Sequence, residues 1–153
     1  MSDPLLYVAW SRVFSPIVDT AERRKAWNDL GIPGDFAQLD AALWKTFHVA
    51  LPSPAVPLLL HAFLQRDGGA VREDFVRIME WLDLDLGERP LPPDHISCAL
   101  ELLAVAVNQD EPVLAEGIRD RYLVPWCEQA VLALHDRPEM LAVIDVLHGD
   151  LFD

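Results

Sequence analysis

The chain is poor in positive charge. It sets only 12 Lys and Arg against 25 Asp and Glu, a formal net charge of −13 at pH 7. A surface so negative repels phosphate backbones and anionic headgroups, which argues against nucleic-acid and membrane binding and favours a cationic partner. Cysteine is scarce as well. Cys98 and Cys127 are the two, both inside expected helices and without metal-type spacing, so they read as free buried thiols of a reducing cytosol. No apolar run is long enough to span a bilayer, and Glu101 interrupts the most apolar stretch. The opening Met1-Ser2-Asp3-Pro4 lacks the cationic region and cleavage site of a secretory signal. A cytoplasmic location is therefore expected. Phosphate loop, dinucleotide fingerprint, ordered Ser-His-Asp set and paired-carboxylate site are all missing. No enzyme is expected, no catalytic residue, and no cofactor or metal.

What is present points to helices. The 153 residues are 52% apolar and 24% charged, enough for one globular domain over 1–153 with a core that needs no staples. Alternating β-branched runs are few, and apolar residues recur at three and four, so the expected fold is an all-α bundle of about nine helices. Pro4 opens the first, which ends at Ser15-Pro16. The second runs from about Thr20 to Leu30 and stops at Gly31. Asp35 can cap a third with the stripe Phe36, Leu39, Leu43, Phe47 and Ala50. Leu51-Pro52-Ser53-Pro54 is a break. A fourth helix carries Val56, Leu59, Leu60 and Phe63 and ends at Asp67-Gly68-Gly69. A fifth carries Val71, Phe75, Ile78, Met79 and Leu82. Asp83 to Pro93 is a long, proline-rich connection. A sixth helix, apolar nearly all round, runs from Asp94 to about Asn108 and belongs in the middle of the bundle. The remainder reads as helices over Pro112–Tyr122, Pro125–Leu134 and Glu139–Leu147.

Two segments stand out. The first is Pro92-Pro93-Asp94-His95-Ile96-Ser97-Cys98-Ala99-Leu100-Glu101-Leu102-Leu103, a rigid entry followed by an Asp able to cap a helix and a His in its first turn. The second is Arg121-Tyr122-Leu123-Val124-Pro125-Trp126, a helix stopped by Pro125 with aromatics on both sides. Together they resemble the signature of the TorD/DmsD/NarJ family of cytoplasmic chaperones, which assist assembly of molybdopterin oxidoreductases. The match covers Pro90 to Trp126, and a general all-α likeness covers the rest. Tyr122 stands where many members carry His, the Leu51–Pro57 segment replaces a Tyr/Glu-containing stretch, and the chain is shorter than many members.

The resemblance implies a TorD-like fold and a non-enzymatic role. The protein would bind the immature catalytic subunit of a molybdopterin oxidoreductase, through its N-terminal twin-arginine leader, until the cofactor is inserted. It would work as a monomer or a homodimer. The peptide-binding residues so implied are Pro93, Asp94, His95, Cys98, Tyr122, Pro125 and Trp126, around an accessible acidic cleft. A helical adaptor retained in a mature redox complex is the alternative.

Each residue also has a plainer reading. Asp94 reads first as an N-cap that keeps one oxygen for a guanidinium. His95 either packs against the proline-rich loop or contacts a partner peptide. Tyr122, Pro125 and Trp126 form either a core corner or a groove wall. Trp44, Phe47 and Trp81 read as core, and Arg23-Arg24-Lys25 as a solvated basic patch. His95, Cys98 and Glu101 could touch, but zinc needs further ligands that nothing nearby supplies, and His48, His61, His135 and His148 are scattered.

Overall fold

The computed structural model describes residues 3–85 and 89–152, and among these it contains nine α-helices. They are α1 (Pro4–Phe14), α2 (Thr20–Asp29), α3 (Phe36–Phe47), α4 (Leu60–Phe63), α5 (Gly68–Trp81), α6 (Ile96–Asn108), α7 (Pro112–Ile118), α8 (Val124–Ala133) and α9 (Pro138–Asp150). A π turn over Arg119–Leu123 joins α7 to α8. The all-α bundle expected from the sequence is the fold observed. The expected connection Asp83 to Pro93 includes residues 86–88, which lie outside the described residues.

Helix α6 is the axis of the bundle, as its all-round apolar surface requires: Ile96, Ala99, Leu100 and Leu103 have no exposed surface. Helix α1 packs along it, and small residues at the contact let the backbones approach. Ser11 Oγ lies 2.9 Å from the Ser97 carbonyl oxygen, and Ser97 Oγ donates back to the Ser11 carbonyl at 2.9 Å. Helix α1 is also tied to the end of α9. The Trp10 indole donates to Asp150 Oδ2 at 2.8 Å, and the Tyr7 hydroxyl to the Asp150 carbonyl at 3.0 Å. One aromatic cluster runs through the middle: Phe14 meets Phe47 edge-on at 5.2 Å and Trp126 edge-on at 5.7 Å, centroid to centroid.

Several expectations need correction. The fourth helix is a single turn, with Val56 and Leu59 in the extended chain before it, because Pro54 and Pro57 deny the segment helical donors. Gly68-Gly69 does not end that helix but begins α5, capped by Asp67 through the Ala70 N–H at 2.8 Å. Arg23 is buried rather than solvated: it forms an ion pair with Asp40 at 2.8 Å and lies over the Phe36 ring. Trp44 and Trp81 are exposed, at 37% and 71%, and so are no part of the core, whereas Phe47 is.

Candidate functional site

The two segments singled out above meet through a third. Residues 57–59 run as a non-helical strap between them, into the first residue of α4. Leu59 pairs with His95 as an isolated antiparallel bridge. Its two bonds are the Ile96 N–H to the Leu58 carbonyl at 2.8 Å and the Leu60 N–H to the Asp94 carbonyl at 3.0 Å. On the other side of the strap, the Trp126 indole N–H donates to the Pro57 carbonyl at 3.1 Å. Phe63, just past the strap, lies 6.2 Å from the Trp126 ring. The strap is short and proline-flanked, so its backbone groups have no helical partners and take these instead.

Asp94 does not cap α6. That place belongs to His95, whose Nδ1 accepts the Ser97 N–H at 3.1 Å. Asp94 turns the other way, into α4: its Oδ2 accepts from the His61 backbone N–H at 3.1 Å and faces His61 Nδ1 at 2.5 Å. The residue is wholly buried. Arg72 on α5 brings its Nε to 3.5 Å from Oδ1, an ion-pair distance without a hydrogen bond. His61 is held from below as well, since a Cβ on Gly68 would stand 3.1 Å from its ring. His61 is the residue of this candidate site that sequence reasoning missed. It lies 33 positions from its partner, in a segment that read as ordinary helix.

Pro125 does not stop the helix. Helical dihedrals continue through Leu123 and Val124, and the Val124 N–H reaches back five residues to the Arg119 carbonyl. The α-helical donor to the Arg121 carbonyl would be the N–H of residue 125, which proline lacks. Arg66 supplies it: its Nη1 donates to that carbonyl at 2.6 Å. The guanidinium of Arg66 also lies over the Tyr122 ring at 5.5 Å, and that of Arg121 at 5.4 Å. The Tyr122 hydroxyl donates to Asp74 on α5, and burial together with that bond pushes the phenol up to about 12. Arg121 pairs with the same Asp74 at 3.2 Å.

Of the seven expected peptide-binding residues, Asp94, His95 and Trp126 are therefore buried around the strap, and Tyr122 is buried against α5. Pro93 and Pro125 stay partly open. Cys98 faces elsewhere, into a groove of about 330 Å³ between α1, Arg89–Leu91 and α6. Its thiol is pushed up to about 11, first by burial and then by Glu101. His95 uses its Nδ1 on the cap, and the neighbours that shift the Cys98 thiol are Glu101, Arg89 and Asp94, with His95 not among them. Among the described residues no group of three or more His, Cys, Asp or Glu is placed to hold a metal. The expected accessible acidic cleft is corrected accordingly. The corner is closed by packed side chains, and its surroundings are mixed in charge, with exposed Arg66, Arg72 and Arg121 beside Asp74.

No protein-family model matches the chain, and no curated protein matches it. A solved structure does. It is that of a protein from Archaeoglobus fulgidus described, provisionally, as a redox enzyme maturation protein. The likeness covers 98% of this chain and 93% of that one, with a TM-score of 0.67 and 19% sequence identity. Identity that low shows a shared fold and leaves function to argument. No described helix is long and apolar enough to cross a membrane.

Proposed function

We propose that this protein is an assembly chaperone for a molybdopterin-containing oxidoreductase, holding the immature catalytic subunit until its cofactor is in place. One observation carries the reading. In a fold like that of a redox enzyme maturation protein, the Asp94-His95 segment and the Pro125-Trp126 segment share a single strap, residues 57–59. Two motifs 30 residues apart thus form one structural unit, and any partner that disturbs one end is felt at the other. The chemistry of holding a client requires no nucleophile or metal.

The client would meet the rim of this unit, formed by Pro93, Pro125 and the arginines of α5 and the π turn. The buried residues (Asp94, His95, Tyr122 and Trp126) set the shape of that rim. An immature subunit offers an extended, arginine-bearing leader and an apolar stretch, and this chain offers a field of −13 and a proline-edged rim of mixed charge. Ordering a flexible leader takes back about 2–5 kcal/mol of the contact energy, which suits micromolar, releasable binding.

The test is a calorimetric titration of the full chain with the leader peptide of a molybdopterin catalytic subunit from the same cell. Binding at micromolar concentration supports the proposal, and no heat at 100 µM peptide contradicts it. A retained accessory subunit would instead co-purify in equal amount with the finished, cofactor-loaded enzyme.

A further inference from the structure

The chain has 12 basic residues to spread over its surface, yet Arg66, Arg72 and Arg121 stand together on the rim. They come from three elements: the turn before α5, α5 itself and the π turn. Two of them share one ring. The guanidinium of Arg66 lies 5.5 Å from the Tyr122 centroid and that of Arg121 5.4 Å. Both charges also act on the phenol: burial and the Asp74 bond raise it, and the two arginines oppose that rise. Holding two like charges over one ring is unfavourable unless an opposite charge meets them.

The carboxylates nearby meet that need only in part. Arg121 pairs with Asp74, but Asp74 also accepts the Tyr122 hydroxyl. Arg66 belongs to no ion pair among the described residues. Its Nη1 is held at 2.6 Å by a neutral acceptor, the Arg121 carbonyl oxygen. Asp67, its neighbour in sequence, turns Oδ2 to the Ala70 N–H. Asp94 is engaged by His61 and Arg72. Two of these acids are also the recessed members of the patch. The side chains of Asp94 and Asp74 are 0% and 25% exposed, against 46% and 64% for Arg72 and Arg121. Arg66 is exposed as well. What this part of the rim turns to solvent is mostly guanidinium.

We infer that Arg66 and Arg121, set over Tyr122, are the docking point for an acidic segment of a partner polypeptide, whose side-chain carboxylate meets the two guanidiniums. A guanidinium carries five N–H donors in a planar fork that matches a carboxylate. The contacts above use one nitrogen of Arg66 and one of Arg121. Arg66 is already ordered by its bond and by the ring, so docking costs little side-chain entropy there. A polypeptide is the fitting source of the acid. Phe63, three residues before Arg66, and Pro125, four after Arg121, are partly open and give flanking side chains an apolar edge. The inference deepens the proposed function and rests on the rim being where the client docks. It also separates two ranges: the net charge of −13 favours cations at a distance, and this patch favours an acid at contact.

The experiment titrates the full chain with a short blocked peptide carrying several glutamates among glycine and serine, beside the same peptide with glutamines. The glutamate peptide is expected to bind about tenfold tighter or more, against the sign of the whole molecule. R66Q and R121Q are each expected to lower that affinity about threefold or more. R24Q, which removes an exposed arginine of α2, leaves it unchanged. R121Q carries the test if R66Q does not fold, since Arg121 is not the donor that replaces a missing backbone N–H. Equal binding of the two peptides overturns the inference. So does a loss in R24Q as large as in R121Q, or tighter binding of inorganic phosphate than of the glutamate peptide. The proposed function fails separately. Selective peptide binding without capture of any molybdopterin subunit leaves the acid-binding patch and removes the client. Capture that R66Q and R121Q leave unchanged removes only the patch.

Discussion

At the scale of single residues, the His61–Asp94 pair is the feature on which the site depends. Removing the His61 ring takes one partner from a buried carboxylate that keeps the residue 61 backbone N–H and the Arg72 ion pair, at a cost of about 1–3 kcal/mol. His61→Ala is expected to lower unfolding stability by about that amount in a urea titration. A loss under about 1 kcal/mol would mean the pair is not formed. Histidine also sets a pH dependence. Burial holds His95 down to about 4, against the pull of Asp94 beside it, and burial holds His48 at about 4, helped by His95 and Arg23 and opposed by Asp40. The unfolded chain takes up protons on these rings below about 6.5 while the folded one does not until about 4, so stability falls as pH drops through that window. Each ring contributes up to about 2–3 kcal/mol to that loss. His95 has a structural reason to stay neutral, because a protonated Nδ1 could not accept the Ser97 N–H. His95→Asn, which keeps a capping side chain, should flatten part of the slope between pH 6.5 and 4.5, and an unchanged slope would contradict the assignment. The motif was visible in the sequence, but the role of Asp94 within it was not. Local pattern favours the cap, and the partner that outbids it arrives from a strap whose course only the tertiary fold decides.

Among the elements, the junction of α7 and α8 carries the clearest lesson. Proline within a helical pattern predicts a stop, and the chain instead inserts a π turn and borrows a donor from Arg66. No local signal marks Arg66, which lies 55 positions away. The helices that were legible in the sequence, such as α1, α2 and α9, begin at local caps or prolines and turn one apolar face inward. Those that were misread, α4 and the start of α5, are short or glycine-rich and owe their shape to Asp94 and Asp67. The borrowed bond makes a quantitative expectation. Arg66→Ala should cost about 0.5–1 kcal/mol in the native background by removing the donor to the Arg121 carbonyl. It should cost measurably less in Pro125→Ala, where a backbone N–H returns. A double-mutant cycle reads the difference, with about 0.5–1 kcal/mol of coupling expected, and strict additivity would refute it. Tyr122, clasped between two arginines and bound to Asp74, ties the same junction to α5.

The whole molecule combines an excess of acid with a corner edged by arginine. Under the proposed function the net charge of −13 would draw a cationic client in over distance, and the deciding contacts would lie at a mixed rim. The salt response should follow: binding of an arginine-bearing leader weakens several-fold between 50 and 500 mM salt, mostly through slower association. An affinity flat across that range would remove the long-range field from the account. Composition alone made the acid excess plain, and it suggested an acidic cleft. The structure places arginines where that cleft was expected, because a net charge says nothing about where the minority sign is kept.

The central claim is that this chain holds a catalytic subunit before, and not after, its cofactor is inserted. The most direct measurement compares the binding of the full chain to the cofactor-free and cofactor-loaded forms of one molybdopterin catalytic subunit from the same cell. The account predicts a one-to-one complex with the empty form at micromolar concentration and at least tenfold weaker binding to the loaded form. Equal affinity for the two forms, or binding to neither, would contradict it.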